Sequence, residues 1–171
     1  IAVPVGETRG LAAHEPPLDR CGAGRNDGGV PRELPSGVVT LLFTDIEGST
    51  RLLHALGPDA YAAALAEHRR VLREAFAAQG GVEVDTQGDA FFVAFPTAAA
   101  AVTAAMAGRD ALDGGRVSVR MGLHTGEPTV TSEGYVGVDV HRGARVAALA
   151  HGRQIVLTDT TRALIDEPTI Q

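Results

Sequence analysis

The sequence predicts an α/β sandwich, a mostly antiparallel sheet with helices packed on one face. Three observations predict it. Short apolar runs rich in β-branched residues each stop at a glycine-containing turn, alanine-rich stretches of helical period lie between them, and the order reads β-α-β-β-α-β followed by β-α-β. That order gives a ferredoxin-like βαββαβ core with additional β-α elements. The 171 residues, 44% of them hydrophobic, suffice for one domain with a real core.

Residues 1–37 carry Gly, Pro and charge without a sustained period and read as a flexible tail or linker. His14 and Cys21 lie there, neither with a partner at metal-ligand spacing. The domain proper is expected over 38–171. It opens on Val38 to Thr50, VVTLLFTDIEGST, whose apolar start reads as a central strand covered on both faces. The strand drops into Asp45, then Gly48, Ser49 and Thr50. Ser49 or Thr50 is expected to cap the helix that follows. Such a turn offers backbone N–H groups to an anion, and a nearby aspartate implies that the anion arrives with a cation. A lone Asp in this position more often just ends a strand.

Arg51 to Leu56 reads as a short helix stopped by Gly57-Pro58, and Asp59 is expected to cap a longer one reaching about Ala78. His68 falls on its apolar face and reads as a core histidine. Val82 to Thr86 and Ala90 to Phe95 are strands joined by Gln87-Gly88-Asp89, a hairpin signal that sets Asp89 at the sheet end of Asp45. Thr97 caps an alanine-rich helix from Ala98 to about Leu112. Val117 to Leu123 alternates as a strand, and His124-Thr125-Gly126 is expected to turn the chain. A short strand at Val130, a turn at Ser132-Glu133-Gly134, a helix over Val138 to Ala150 bearing Arg142 and Arg145, and a strand at Gln154 to Thr158 follow. Asp159 is expected to cap a terminal turn.

A net charge of −6 without a basic stripe argues against nucleic-acid binding. All fifteen basic residues are Arg. A single cysteine points to a reducing, cytoplasmic setting. No apolar run approaches the roughly eighteen residues of a membrane span. A chain opening on Ile1 reads as part of something longer.

Four blocks resemble the class III nucleotidyl cyclases, the adenylate and guanylate cyclase catalytic domains: FTDIEGST at 43–50, QGDAFFVAF at 87–95, GLHTGE at 122–127 and YVGVDVHRGAR at 135–145. The resemblance implies that Asp45, Asp89 and the carbonyl of Ile46 hold two Mg²⁺ or Mn²⁺ ions, while the turn Glu47, Gly48, Ser49 and Thr50 cradles phosphates. Two carboxylates about 4 Å apart would repel by roughly 4 kcal/mol at an effective dielectric near 20, so such a pair calls for a cation. Arg145 matches the arginine that stabilises charge on the α-phosphate. The family pairs head to tail, which implies a homodimer acting on a nucleoside triphosphate to make the 3′,5′-cyclic nucleotide and pyrophosphate.

Three positions depart from the pattern. The lysine that reads adenine is Asp85, its partner position is Gly134, and the asparagine four residues before the arginine is His141. Asp85 only accepts hydrogen bonds when ionised, which suits guanine N1–H and its amino group, so relaxed or GTP-leaning selection is expected. His141 can still donate to ribose or phosphate. The family domain usually runs further than Gln171, where a basic residue reaches the triphosphate, so a truncated domain is expected. The alternative is a degenerate cyclase-like domain that binds nucleotide or dimerises to regulate attached modules.

Overall fold

A computed structural model of the chain describes residues 33–166. Most of the expected 1–37 tail, with His14 and Cys21, lies outside the described residues. In chain order the elements are β1 (Val39–Ile46), α1 (Ser49–Leu56), α2 (Pro58–Ala78), β2 (Val82–Gln87), β3 (Ala90–Phe95), α3 (Ala98–Ala111), β4 (Val119–Gly126), β5 (Thr129–Thr131), β6 (Gly134–Val136), α4 (Val138–Leu149), β7 (Ile155–Leu157) and α5 (Asp159–Asp166). The main sheet runs β2-β3-β1-β4-β7, antiparallel except for the β4–β7 pair, and β5 and β6 form a separate hairpin.

Strand alternation sorts side chains between two faces. On one face Leu42, Phe91, Val93, Phe95, Val119, Met121 and Leu123 meet Leu72 and Phe76 of α2 and Ala101, Ala104 and Ala105 of α3 in a dry core. The alanines let α3 lie close, and Gly108 admits the Leu72 side chain. On the other face Val39, Leu41 and Ala94 pack with Tyr135, and Phe43 and Phe92 stack at 4.3 Å.

Helices on one face were expected, and α2 and α3 meet that expectation. Helix α4 crosses the second face instead. A Cβ on Gly122 of β4 would lie 2.2 Å from the Ala147 amide nitrogen, and one on Gly143 would lie 2.5 Å from the Phe43 ring. Glycine on both partners thus brings α4 onto the sheet at backbone distance.

Several local expectations are corrected. Gly48, at φ 66, precedes α1, and neither Ser49 nor Thr50 caps it; Gly57, followed by Pro58, precedes α2, with Asp59 inside the first turn. Thr97 caps α3 as expected, its hydroxyl accepting from the Ala100 amide at 3.2 Å. At α5 the hydroxyl that accepts is that of Thr158, from the Thr161 amide at 3.4 Å. His124-Thr125-Gly126 continues β4 rather than turning, because Thr125 and Gly126 pair with Thr40 and Val39. No helix among the described residues is long and apolar enough to cross a membrane.

Candidate active site

Asp45 is the last residue of β1 to face the α4 side, and Asp89 follows Gly88 (φ 60) in the β2–β3 turn. The Ile46 amide donates to Asp89 Oδ2 at 3.2 Å. Burial raises the Asp89 pKa above the ordinary carboxylate value; the charge and hydrogen-bonding contact of Asp45 push the same way, and backbone hydrogen bonds oppose them. Two acids 44 positions apart in sequence, by their numbers, therefore share one environment.

A third residue joins them. Arg120 stands opposite Asp45 in the β1–β4 register, and its Nη2 and Nε donate to Asp45 Oδ2 at 2.5 and 3.1 Å. Sequence reasoning saw Arg120 only as a polar position in an alternating strand. The available signal was parity: Arg120, Gly122 and His124 share a face with the acidic tip once β4 pairs with β1.

Among the described residues no group of three or more His, Cys, Asp or Glu side chains gathers as a metal cage. The donors at the tip are two carboxylates with backbone oxygen nearby. They fit a hard cation such as Mg²⁺, which typically takes one or two carboxylates and completes its shell with water and substrate phosphate.

The turn after β1 supplies less than expected. The Glu47 amide donates to the Ser118 carbonyl at 2.9 Å, so it is not open to a phosphate. The first α1 bond runs from the Leu52 amide to the Gly48 carbonyl at 2.9 Å. The amides of Ser49, Thr50 and Arg51 precede that bond and lack helical acceptors.

Gly134 comes close to Val84, the chain neighbour of Asp85. A bulge separates Glu83 from Asp85, and Asp85 pairs with Phe92, which puts it on the face of Phe43 and Asp45. Its carboxylate accepts from the Thr86 amide at 2.8 Å and from Gln87 Nε2 at 2.7 Å. A Cβ on Gly134 would meet Val84 at 3.4 Å, so β6 borders β2 there.

His141 and Arg145 stand apart from this group. Both are exposed on α4, and among the described residues neither makes a hydrogen bond or ion pair. The start of α4 is nonetheless firmly fixed. Asp139 accepts from the Glu127 amide at 3.1 Å and contacts buried His124 Nε2 at 3.0 Å, and His124 Nδ1 meets the Thr158 hydroxyl at 3.1 Å. The His124 contact holds the Asp139 carboxyl below the usual range.

A sheet with an acidic pair at one strand tip and an outward arginine on the crossing helix defines a nucleotidyl cyclase-type fold. The family model "Adenylate and Guanylate cyclase catalytic domain" matches residues 33–171, and the chain belongs to that family. It is 40% identical over 139 residues to an uncharacterized protein of Mycobacterium tuberculosis, covering 80% of this chain and 48% of the relative. It is 33% identical over 184 residues to an adenylate cyclase of Podospora anserina, covering 90% of this chain and 8% of that protein. The chain thus spans about half the length of its mycobacterial relative, and far less of the fungal one. Among solved structures, a Trypanosoma brucei adenylate cyclase in its monomeric state superposes with a TM-score of 0.71 at 27% identity, covering 81% of this chain and 80% of that one. The guanylate cyclase domain of RhGC from Catenaria anguillulae in complex with GTP gives 0.70 at 21% identity, covering 76% and 82%, a likeness of fold alone.

Proposed function

We propose that this domain is a nucleotidyl cyclase, converting a nucleoside triphosphate to the 3′,5′-cyclic monophosphate and pyrophosphate. The observation that carries this reading is the approach of Asp45 and Asp89 at one strand tip, joined through the Ile46 amide. Asp45, Asp89 and the Ile46 carbonyl would hold two Mg²⁺ or Mn²⁺ ions. Such ions, when bound, lower the pKa of the ribose 3′-hydroxyl and neutralise charge on the α-phosphate and the leaving pyrophosphate.

The remaining roles belong to the chain itself. Arg120 donates to the Asp45 carboxylate, so a cation held by Asp45 would compete with it for that oxygen, and its guanidinium would then be available to a phosphate. The amides of Ser49 and Thr50 orient a phosphate, with Gly48 allowing the turn; Glu47 contributes no amide, since its own is spent on Ser118. Arg145 stabilises charge on the α-phosphate from across a head-to-tail homodimer, and His141 steadies the ribose or phosphate beside it. Their exposure on α4, without side-chain partners among the described residues, supports a site shared between two chains. Asp85 exchanges Gln87 for the base and favours guanine, and Gly134 adds no side-chain contact.

The second reading is a domain without turnover that regulates attached modules, favoured by the departures at Asp85 and Gly134. One assay separates the two: purified dimer with ATP or GTP and Mn²⁺ or Mg²⁺, scored for cyclic nucleotide. Turnover that falls at least about 10³-fold in Asp45→Ala and in Asp89→Ala is expected. No product under any of the four conditions, from a chain extended past Gln171, supports the regulatory reading.

A further inference from the structure

Helix α4 starts without a side-chain cap, since Gly137 precedes it. Its polar anchor is Asp139, in the first turn. One carboxylate oxygen accepts from the Glu127 amide at 3.1 Å; the other meets His124 Nε2 at 3.0 Å and Arg142 Nη1 at 3.4 Å. Gly126 makes room for this carboxylate, because a Cβ there would lie 2.4 Å from Asp139 Cγ.

Behind His124 runs a row of hydroxyls. Its Nδ1 meets Thr158 at 3.1 Å, Thr158 meets Thr161 at 3.1 Å, Thr125 donates to Thr161 at 3.0 Å, and Thr40 meets Thr125 at 2.9 Å. Counting protons gives the row one direction. Thr161 is fully buried and already accepts from Thr125, so its own proton goes to Thr158. The Thr158 proton then goes to His124 Nδ1, which leaves the ring proton on Nε2, facing the Asp139 carboxylate. That contact holds the Asp139 carboxyl below its usual range, as a donor aimed at it would. Thr40 and Thr125 lie on the sheet face of α2 and α3, so hydroxyls on one face orient an imidazole on the other.

Arg145 lies two residues beyond Gly143, which packs on the Phe43 ring, so the arginine leaves α4 on the opposite side. The close seat of α4 on Gly122 fixes its distance from the sheet. Rotation about its axis is resisted by directional bonds, and Asp139 makes them. We propose that His124, with its proton on Nε2, is a positioning residue of the reaction: it holds Asp139, and Asp139 sets the direction in which Arg145 leaves α4. This inference rests on the cyclase reading above. Neither residue touches the substrate; both act through the arginine.

Two measurements on the full 171-residue chain test it. The first needs no nucleotide: the ring nitrogen resonances of His124 tell a protonated nitrogen from a bare one. Wild type should carry the proton on Nε2. In Asp139→Asn the single side-chain oxygen serves the Glu127 amide and turns the NH₂ group toward His124, so the ring proton should move to Nδ1. The second is a double-mutant cycle on turnover. Asp139→Asn should lower kcat about tenfold or more with KM within about twofold, as a misaimed transition-state donor does. In an Arg145→Ala background the same substitution should cost less than about twofold, because the group it aims is gone. Thr158→Val should lower kcat in the same sense, and Thr158→Ser, which keeps the hydroxyl, should restore it. Thr158 is only half-buried, so this pair keeps the test valid even where Asp139→Asn misfolds. A wild-type ring with a proton on Nδ1 overturns the proposal. So do equal losses with and without Arg145, the result of a merely structural role. Wild type that makes no cyclic nucleotide defeats the cyclase reading itself; turnover with either of those two results defeats this proposal alone.

Discussion

The two faces of the sheet use the same strands and bury different chemistry. Along β1, Leu42, Thr44 and Ile46 turn into a closed layer under α2 and α3, while Leu41, Phe43 and Asp45 turn toward α4. The closed face is mainly apolar, crossed at one end by the hydrogen-bonded hydroxyls of Thr40, Thr125 and Thr161, with Thr44 and His68 as its unsatisfied buried side chains among the described residues. The α4 face carries the Asp45–Arg120 pair, the His124–Asp139 contact and two half-buried stacked phenylalanines. Stability is concentrated on the first face and chemistry on the second. Strand parity keeps them separate, because a one-residue slip would exchange every side chain between them.

The largest effect should come from breaking the α4 face in two different chains. Arg145→Ala should lower turnover by about 10² to 10³-fold, the usual worth of a donor aimed at transition-state charge. If the arginine serves a partner's acids, mixing Arg145→Ala with Asp45→Ala restores activity, since half of random dimers are mixed and each has one intact site. About a quarter of wild-type turnover is then expected. Two dead variants that stay dead on mixing, while still dimerising, would place the arginine and the acids in one chain.

Next comes the seat of α4 itself. Gly122→Ala would drive a methyl into the Ala147 backbone, where nothing flexible can yield. A loss of about 3 kcal/mol is expected, the upper end of overpacking costs, read from urea unfolding. Met106→Ala, on the exposed side of α3, should stay within about 0.5 kcal/mol. Equal unfolding midpoints for the two variants would mean that α4 is not held at backbone distance.

Those glycines also mark where the sequence was legible. Periods of two and 3.6 identify the strands and helices nearly residue by residue, because burial on one side repeats at those spacings. Parity even sorts residues by face. It does not say which helix covers a face, and Gly122 and Gly143 look in sequence like any other glycine although they seat α4. That Asp45 and Asp89 lie at one end of the sheet was legible, because one follows an apolar run into a turn and the other follows a turn into an apolar run. Arg120 was not, since its role needs the register between β1 and β4. The Glu47 amide was misassigned for a similar reason: its acceptor, Ser118, lies 71 positions away by residue number.

A smaller effect should test how the α4 face reads a base. Asp85→Lys swaps an acceptor for a donor on the side of Phe92 and removes the contact with Gln87. The ratio of kcat/KM for GTP over ATP should fall by about tenfold or more, as expected where a site's hydrogen-bonding sense is reversed. Unchanged selectivity in a variant that still turns over would show that Asp85 does not reach the base.

The smallest effect lies on the closed face and concerns stability alone. Burial, helped by the neighbouring Arg69 charge, drives the His68 pKa from 6.5 down to about 4. On unfolding the ring returns to its ordinary value, so between pH 6.5 and about 4 the unfolded chain binds a proton that the folded chain refuses. Stability from the neutral ring is therefore complete above pH 6.5 and declines as pH falls toward 4, at no more than about 1.4 kcal/mol per unit. His68→Phe removes the titrating group and should flatten that part of the profile. Carboxylates such as Glu83 and Asp139, held below their ordinary values, add their own losses only at lower pH. Urea unfolding of both proteins from about pH 7.5 to 5 isolates the histidine. Parallel profiles across that window would mean that protons reach the ring in the folded protein, and the closed face would then be less dry than its packing implies.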